Sequence, residues 1–292
     1  MANLQEVRTR IASVGSTQQI TSAMKMVSAA KFRRAQNAIT GMRPYASSMQ
    51  EVIDCIDTAD GVQTVYHKVR DVHCVVVVVI TSNKGLCGAF NSNVIKLALQ
   101  RIEYWHQQNT LVKIITIGRK ASEQLAKVKG VELKMYDYIL DNPSFDDVAA
   151  LADSIMTTFA VGESDRVEVV YNQFKNSLSQ ILVCDQLLPV ESGGNGRQDD
   201  KEVGIMQDYI FEPSKEDILR EMTPLALRST FYRMILDSLA AEHGARMTAM
   251  QKATDNATEL LKDLRLSYNK ARQASITNEL IEIVSGSEAL KG

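Results

Sequence analysis

No apolar run in this chain approaches the roughly 18 residues a membrane-spanning helix needs; the longest, Cys74–Ile80, has the length of a strand. Four scattered cysteines (Cys55, Cys74, Cys87, Cys184) form no CxxC pair, which argues against a disulfide framework and for free thiols in a reducing compartment. The four histidines, His67, His73, His106 and His243, are dispersed, without HExxH or Cys/His ligand spacing, so a zinc centre is not expected. There is no GxSxG elbow, and carboxylate pairs such as Asp146-Asp147 and Asp199-Asp200 fall in polar loops or at a helix start, where capping or solvation accounts for them. Only five prolines punctuate 292 residues, which leaves room for very long helices.

What is present is a globular composition, 45% hydrophobic and 23% charged, with enough mass for one large domain or two modest ones. The net charge of −2 hides a segregation. Residues 1–50 carry seven basic side chains (Arg8, Arg10, Lys25, Lys31, Arg33, Arg34, Arg43) against Glu6 alone, a net of +6. Residues 141–221 carry 17 acidic and six basic side chains, a net of −11. Such asymmetry implies that the two regions face different partners. The basic, Ser-rich start mimics a mitochondrial presequence, but its periodic pattern continues for more than fifty residues without a small-residue cleavage signal.

The periodicity divides the chain in three. Asn3 with Glu6 forms a capping-box pattern, and Leu4, Val7, Ile11, Val14, Ile20, Met24 and Val27 recur mostly three or four residues apart as a narrow seam. This helix is expected to kink at Pro44 and end near Asp60-Gly61. At the other end, Ser214 with Asp217 and then Thr223-Pro224 offer helix starts. From there Phe231, Met234, Ser238, Ala241, Ala245, Ala249, Ala253, Ala257, Leu260, Leu264 and Tyr268 form a second seam, with Gly286 as a stop. At a rise of about 1.5 Å per residue these helices are on the order of 85 Å and 90–105 Å long. Two narrow seams of that length are best buried against each other, as an antiparallel coiled coil.

Between them, strands alternate with helices: Cys74–Thr81, Leu111–Gly118, Val131–Tyr136, and a hairpin of Val167–Phe174 with Ser179–Leu187. Helices are expected over Asn91–Gln108, Arg119–Lys127 and Ser144–Phe159, and Glu191–Lys201 as a polar loop. The fold class is therefore α/β: a long antiparallel coiled coil of N- and C-terminal helices (residues 1–60 and 212–292) with an inserted Rossmann-like mixed-sheet domain (residues 70–205).

Two stretches could carry chemistry. NKGLCGAFN, Asn83–Asn91, follows the first strand and opens a helix, where α/β proteins often cradle phosphate. A P-loop needs GxxxxGK[ST], whereas here Lys84 precedes the first glycine, so a tight strand-to-helix turn is the competing explanation. The basic segment KMVSAAKFRR, Lys25–Arg34, suits phosphates, acidic lipids or acidic protein loops, or is simply a solvated face.

ITSAMKMVSAAKFRRA (Ile20–Ala35), GLCGAFN (Gly85–Asn91), DYIFEPS (Asp208–Ser214) and NKARQASITNELIEIVSG (Asn269–Gly286) together resemble the gamma subunit of F-type ATP synthase in its bacterial form, along essentially the whole chain. The cysteine-bearing regulatory insert of the chloroplast form has no counterpart here. The resemblance implies a non-catalytic rotor shaft without cofactor or metal. It would stand inside a ring of three alpha and three beta subunits, with its foot on the membrane c-ring beside the epsilon subunit. No contact with nucleic acid and no insertion into the bilayer are implied. Its place would be peripheral, on the cytoplasmic face of the bacterial inner membrane.

The same resemblance assigns ring contacts to Met24, Lys25, Arg272, Gln273, Thr277 and Glu279. It seats Leu280 and Ile283 in an apolar sleeve, and gives Tyr209, Phe211 and Glu212 to the c-ring and epsilon subunit. Many relatives carry tyrosine where this chain has Phe211. The alternative is a coiled-coil adapter with a nucleotide-binding α/β domain, recognisable by ATP or NAD binding to the isolated chain.

Overall fold

Seven consecutive β-branched or small apolar residues, CVVVVVI, can only be satisfied by a strand covered on both faces, and β1 (Cys74–Ile80) is buried along its whole length. The computed structural model describes residues 4–60, 64–176, 179–190, 212 and 214–289. In chain order its elements are α1 (Leu4–Asp60), β1, α2 (Phe90–Gln107), β2 (Leu111–Ile117), α3 (Arg119–Leu125), β3 (Glu132–Met135), α4 (Phe145–Val161), β4 (Arg166–Phe174), β5 (Gln180–Leu188) and α5 (Lys215–Ala289). Every strand and inner helix expected from the sequence is present, with ends shifted by no more than two residues. Asn3 and the Glu191–Lys201 loop lie outside the described residues.

The five strands form one sheet in the order β3-β2-β1-β4-β5. The first four are parallel, and β5 returns antiparallel to β4 as the edge of the hairpin. Because β1 leads to β2 on one side and receives β4 on the other, the helices divide between the faces. On one face Val75, Val77 and Val79 pack with Val94, Ala98, Ile102 and Trp105 of α2 and Ala121 and Leu125 of α3. On the other, Val76, Val78 and Ile80 meet α4, through Leu151, Ile155 and Phe159, and α5, through Phe231, Met234 and Ile235. Helix α4 is closed at both ends by local chemistry: Ser144 Oγ accepts from Asp147 N, and Gly162 takes the left-handed conformation at the C-terminus.

One carboxylate is buried in this sheet. Glu168 on β4, its side chain 2% exposed, receives Arg101 Nη2 at 2.6 Å and Arg101 Nε at 2.9 Å. Arg166 Nε (3.0 Å) and Trp105 Nε1 (3.3 Å) also donate to it. Burial pushes its pKa up, but these hydrogen bonds and charges outweigh burial and hold it below the ordinary carboxylate value. The neighbouring Cys184 thiol is pushed up to about 12, by burial first and then by Glu168, so it stays neutral.

The chain divides into two compact units. One is Ala30–Ala245: the sheet domain with the adjoining stretches of α1 and α5. In it α5 lies on the sheet, while Ile39 of α1 packs on Leu236 and Ala240. The other is Met1–Ala29 with Arg246–Gly292, whose described residues belong to α1 and α5 and run antiparallel.

Four expectations about the long helices are corrected. Thr223-Pro224 does not start α5; Ser214 does, its hydroxyl accepting from Asp217 N at 3.1 Å, and Pro224 sits inside the helix. A proline there costs about 3 kcal/mol. Burial of Phe231, Met234 and Ile235 just downstream, about 1.5–3 kcal/mol each, offsets it. Gly286 does not end α5, which continues to Ala289. A helical glycine costs only about 1 kcal/mol relative to alanine, too little to force a stop. Ile20 (59% exposed) and Val27 (57%) lie off the α1 seam. Leu260 (48%) lies off the α5 seam, where Leu261 (7%) takes its place. The α1 row that faces α5, Leu4, Val7, Ile11, Val14, Gln18, Thr21, Lys25 and Ser28, has heptad spacing, with Gly15, Ser22, Met24 and Ala29 half-buried beside it, and so admits polar residues at four of its turns.

Candidate functional site

In the two-helix unit the register is defined by side chains. Gln18 Nε2 donates to Thr258 Oγ1 at 2.7 Å, and the Thr21 and Thr254 hydroxyls meet at 2.8 Å. A step of three forward on α1 matches a step of four back on α5, which is the signature of an antiparallel heptad seam. Continuing that pairing sets Leu4 level with about residue 271. Helix α5 runs on for about 18 residues to Ala289, or about 27 Å.

That overhang carries most of the predicted site. Arg272, Gln273, Thr277 and Glu279 are exposed. Leu280 is 58% and Ile283 67% exposed, and Ile276, Ile281 and Val284 are uncovered with them. Thr277 Oγ1 donates to Gln273 O at 2.8 Å, and Ser275 Oγ to Glu279 Oε1 at 3.3 Å, so the local polar groups bond along their own helix. Five large apolar side chains within nine residues, without a neighbour among the described residues to cover them, have the character of a contact surface and not of a core.

Met24 and Lys25 lie elsewhere in the same unit. The seam places Lys25 level with about residue 250, so roughly 33 Å of helix separates it from Arg272. Both are half-buried, Lys25 at a heptad position. The outward face of this stretch is formed instead by Ile20, Met26 (65% exposed) and Val27, with Lys31, Arg33 and Arg34 following. Sequence periodicity counted Ile20 and Val27 as seam residues; the 3.5-residue spacing through Gln18, Thr21 and Ser28 is the signal that separates them. Glu212 is exposed in a bend before the Ser214 cap, and Tyr209 and Phe211 lie outside the described residues.

The NKGLCGAFN loop turns inward. Ser82 Oγ donates to Lys84 O at 2.6 Å, Ser82 N to Asn91 Oδ1 at 3.0 Å, and Asn91 Nδ2 to Ser82 Oγ at 2.8 Å. Leu86 and Gly88 both take positive φ to make the turn. Cys87 and Phe90 are thereby buried against Ala241 and Ala245 of α5. Asn172 of β4 donates to Phe90 O at 3.4 Å, across the β1/β4 switch point where open α/β sheets usually admit ligands. The loop fastens α5 to the sheet, and the small residues of α5 allow the close approach. Among the described residues no His/Cys/Asp/Glu group has the makings of a metal centre, and no helix is long and apolar enough to cross a membrane.

A family model described as ATP synthase matches residues 3–290. The chain is 51% identical over 294 residues to the ATP synthase gamma chain of Flavobacterium psychrophilum and 50% identical over 295 residues to that of Flavobacterium johnsoniae, covering all of each chain in both cases. Among solved structures it resembles a chain of the central stalk and c-ring of the Tetrahymena thermophila mitochondrial ATP synthase. The identity is 25% and the TM-score 0.59, over 80% of this chain and 99% of that one. A chain from the Euglena gracilis mitochondrial ATP synthase in rotational state 3 shares the fold, with TM-score 0.66 and 22% identity over 98% of this chain and 94% of that one.

Proposed function

The chain belongs to the family of ATP synthase gamma chains, and on that footing we propose that it is the non-catalytic rotor shaft of such a complex, peripheral to the cytoplasmic face of a bacterial membrane. Residues 1–60 and 212–292 act as the shaft and residues 70–205 as the domain that braces it. Ion flow through the membrane c-ring turns the foot, and the shaft presents different sides in turn to three alpha and three beta subunits. Each orientation favours one conformation of a catalytic subunit over the others, so rotation is converted into an ordered shift of populations. Catalytic groups on the shaft are unnecessary for this.

The observation that carries the proposal is the apolar end of α5, uncovered by α1 and exposed from Ile276 to Val284. In the complex it enters a sleeve of alpha and beta subunits, while Arg272, Gln273, Thr277 and Glu279 below it make polar contacts with the ring. Met24 and Lys25, with the outward Ile20, Met26 and Val27 and the cations Lys31, Arg33 and Arg34, meet an acidic loop of a beta subunit. Tyr209, Phe211 and Glu212 belong to the foot, against the c-ring and epsilon subunit.

The test is reconstitution of the chain with the alpha and beta subunits of its own organism. One copy per ring is expected, with ATP hydrolysis that neither the chain nor single subunits support and rotation of a probe fixed to the α/β domain. ATP turnover by the pure chain, abolished by changing Lys84, would overturn the proposal in favour of a nucleotide-binding adapter.

A further inference from the structure

Helix α5 carries a second apolar row that α1 does not use. Leu266, Asn269, Gln273, Ile276, Leu280 and Ile283 are spaced three and four apart and all are exposed. The α1-facing row, Leu261, Leu264, Tyr268, Ala271 and Ser275, is buried or half-buried. At about 100° of turn per residue, the two rows point roughly 130° apart. The lower end of the exposed row opens into a groove of about 330 Å³ lined by Gln18, Thr258, Leu261, Lys262, Arg265, Leu266 and Asn269. A free heptad row beside a groove is a seat for one more helix.

The flanking charges say which helix fits. The row is bordered by cations in its first half, Arg265, Lys270 and Arg272, and by Glu279 in its second. A parallel partner of the same sequence would set Arg265 against the second copy's Lys270, a repulsion made twice. An antiparallel partner stacks Leu266 on the second copy's Ile283, Asn269 on its Leu280 and Gln273 on its Ile276. It also sets Arg272 against the second copy's Glu279, on both sides of the two-fold axis. We propose that the unassembled chain pairs with a second copy of itself, antiparallel, through this row. The pairing hides the apolar tip until other subunits take its place, and it concerns the free chain, whatever the tip touches in a complex. Asn269 and Gln273 in the core layers weaken the pairing and so keep the association reversible.

Sedimentation of the purified full chain over a range of concentrations tests this. A monomer–dimer equilibrium is expected. R272E or E279R alone should weaken it at least about tenfold, by turning attraction into repulsion at both symmetric positions. The R272E/E279R charge swap should return it to within about threefold of the original. L280D should abolish it, with the melting transition of each variant confirming that the chain folds. A chain that stays monomeric up to about 100 µM overturns the proposal, as does a dimer indifferent to these charges or one that the swap does not restore.

Discussion

Thr21 Oγ1 and Thr254 Oγ1 lie 2.8 Å apart across the two terminal helices, and each hydroxyl also lies within hydrogen-bond reach of a carbonyl of its own helix, Gln18 O and Met250 O, so that one hydroxyl donates across the seam while the other donates to its own carbonyl. A hydroxyl deprived of its cross-helix partner therefore keeps a bond. Thr21→Val or Thr254→Val should cost about 0.5–1.5 kcal/mol in urea unfolding. The double replacement should cost less than the two together, because the second removes a bond already broken. Full additivity would mean that the two hydroxyls do not interact in solution.

The Glu168 carboxylate makes stability pH-dependent in a defined direction. Its folded pKa lies below its ordinary value, so the stabilisation is complete above that ordinary value of 4.5 and is lost as pH falls through the folded one. Glu168→Gln should lower stability at pH 7 by about 3 kcal/mol, since it strips a buried partner from Arg101 and Arg166. It should also flatten the acid side of the stability curve, measured by thermal melting between pH 3 and 7.

Gly118 has φ +116, and a Cβ added there would sit 2.5 Å from the Thr81 carbonyl oxygen, backbone against backbone. Gly118→Ala combines a forbidden conformation with a clash that no rotamer relieves. A loss of about 2 kcal/mol or more is expected by chemical denaturation. Gly85→Ala, which meets nothing within 4 Å, is the control.

At the tip, Leu280→Asp with Ile283→Asp should leave the melting temperature of the dilute isolated chain almost unchanged, because both side chains already face solvent. Incorporation into the alpha–beta ring should weaken, each lost burial being worth about 1.5–3 kcal/mol, with the carboxylates adding a desolvation cost. A collapsed melting temperature with normal incorporation would sink the sleeve model.

Reversing Lys25, Lys31, Arg33 and Arg34 together should impair coupling of ion flow to ATP synthesis in reconstituted vesicles. Single reversals at the exposed positions should do little, since a screened pair contributes only about 0–1 kcal/mol. Unchanged coupling in the quadruple variant would return this segment to a solvated face.

The inner domain was legible because its signals are local. CVVVVVI leaves no option but a strand, Ser144 and Gly162 bracket α4, and Asn176 N donates to Ser179 O between the two strands of the hairpin. Those choices are made within a few residues, by sterics and hydrogen-bond closure. Along α1 and α5 the local signal misled where it followed hydrophobicity alone. Ile20, Val27 and Leu260 are apolar and exposed, while Gln18, Thr21 and Thr254 are polar and covered. A helix of this length can bury any of several faces with similar local energy, and periodicity blurs the difference between neighbouring rows.

By itself, then, the sequence determined the kinds of element, their order, the charge segregation and the surplus of apolar side chains near the end. The tertiary structure decided which row of each helix faces the other, through bonds between residues 233 and 240 positions apart in the chain. From that register follows the rest: α5 outruns the described part of α1, Leu280 and Ile283 stay uncovered, and a second heptad row faces outward. Pairing over such distances depends on which groups meet when the helices dock, and no window of sequence contains both partners.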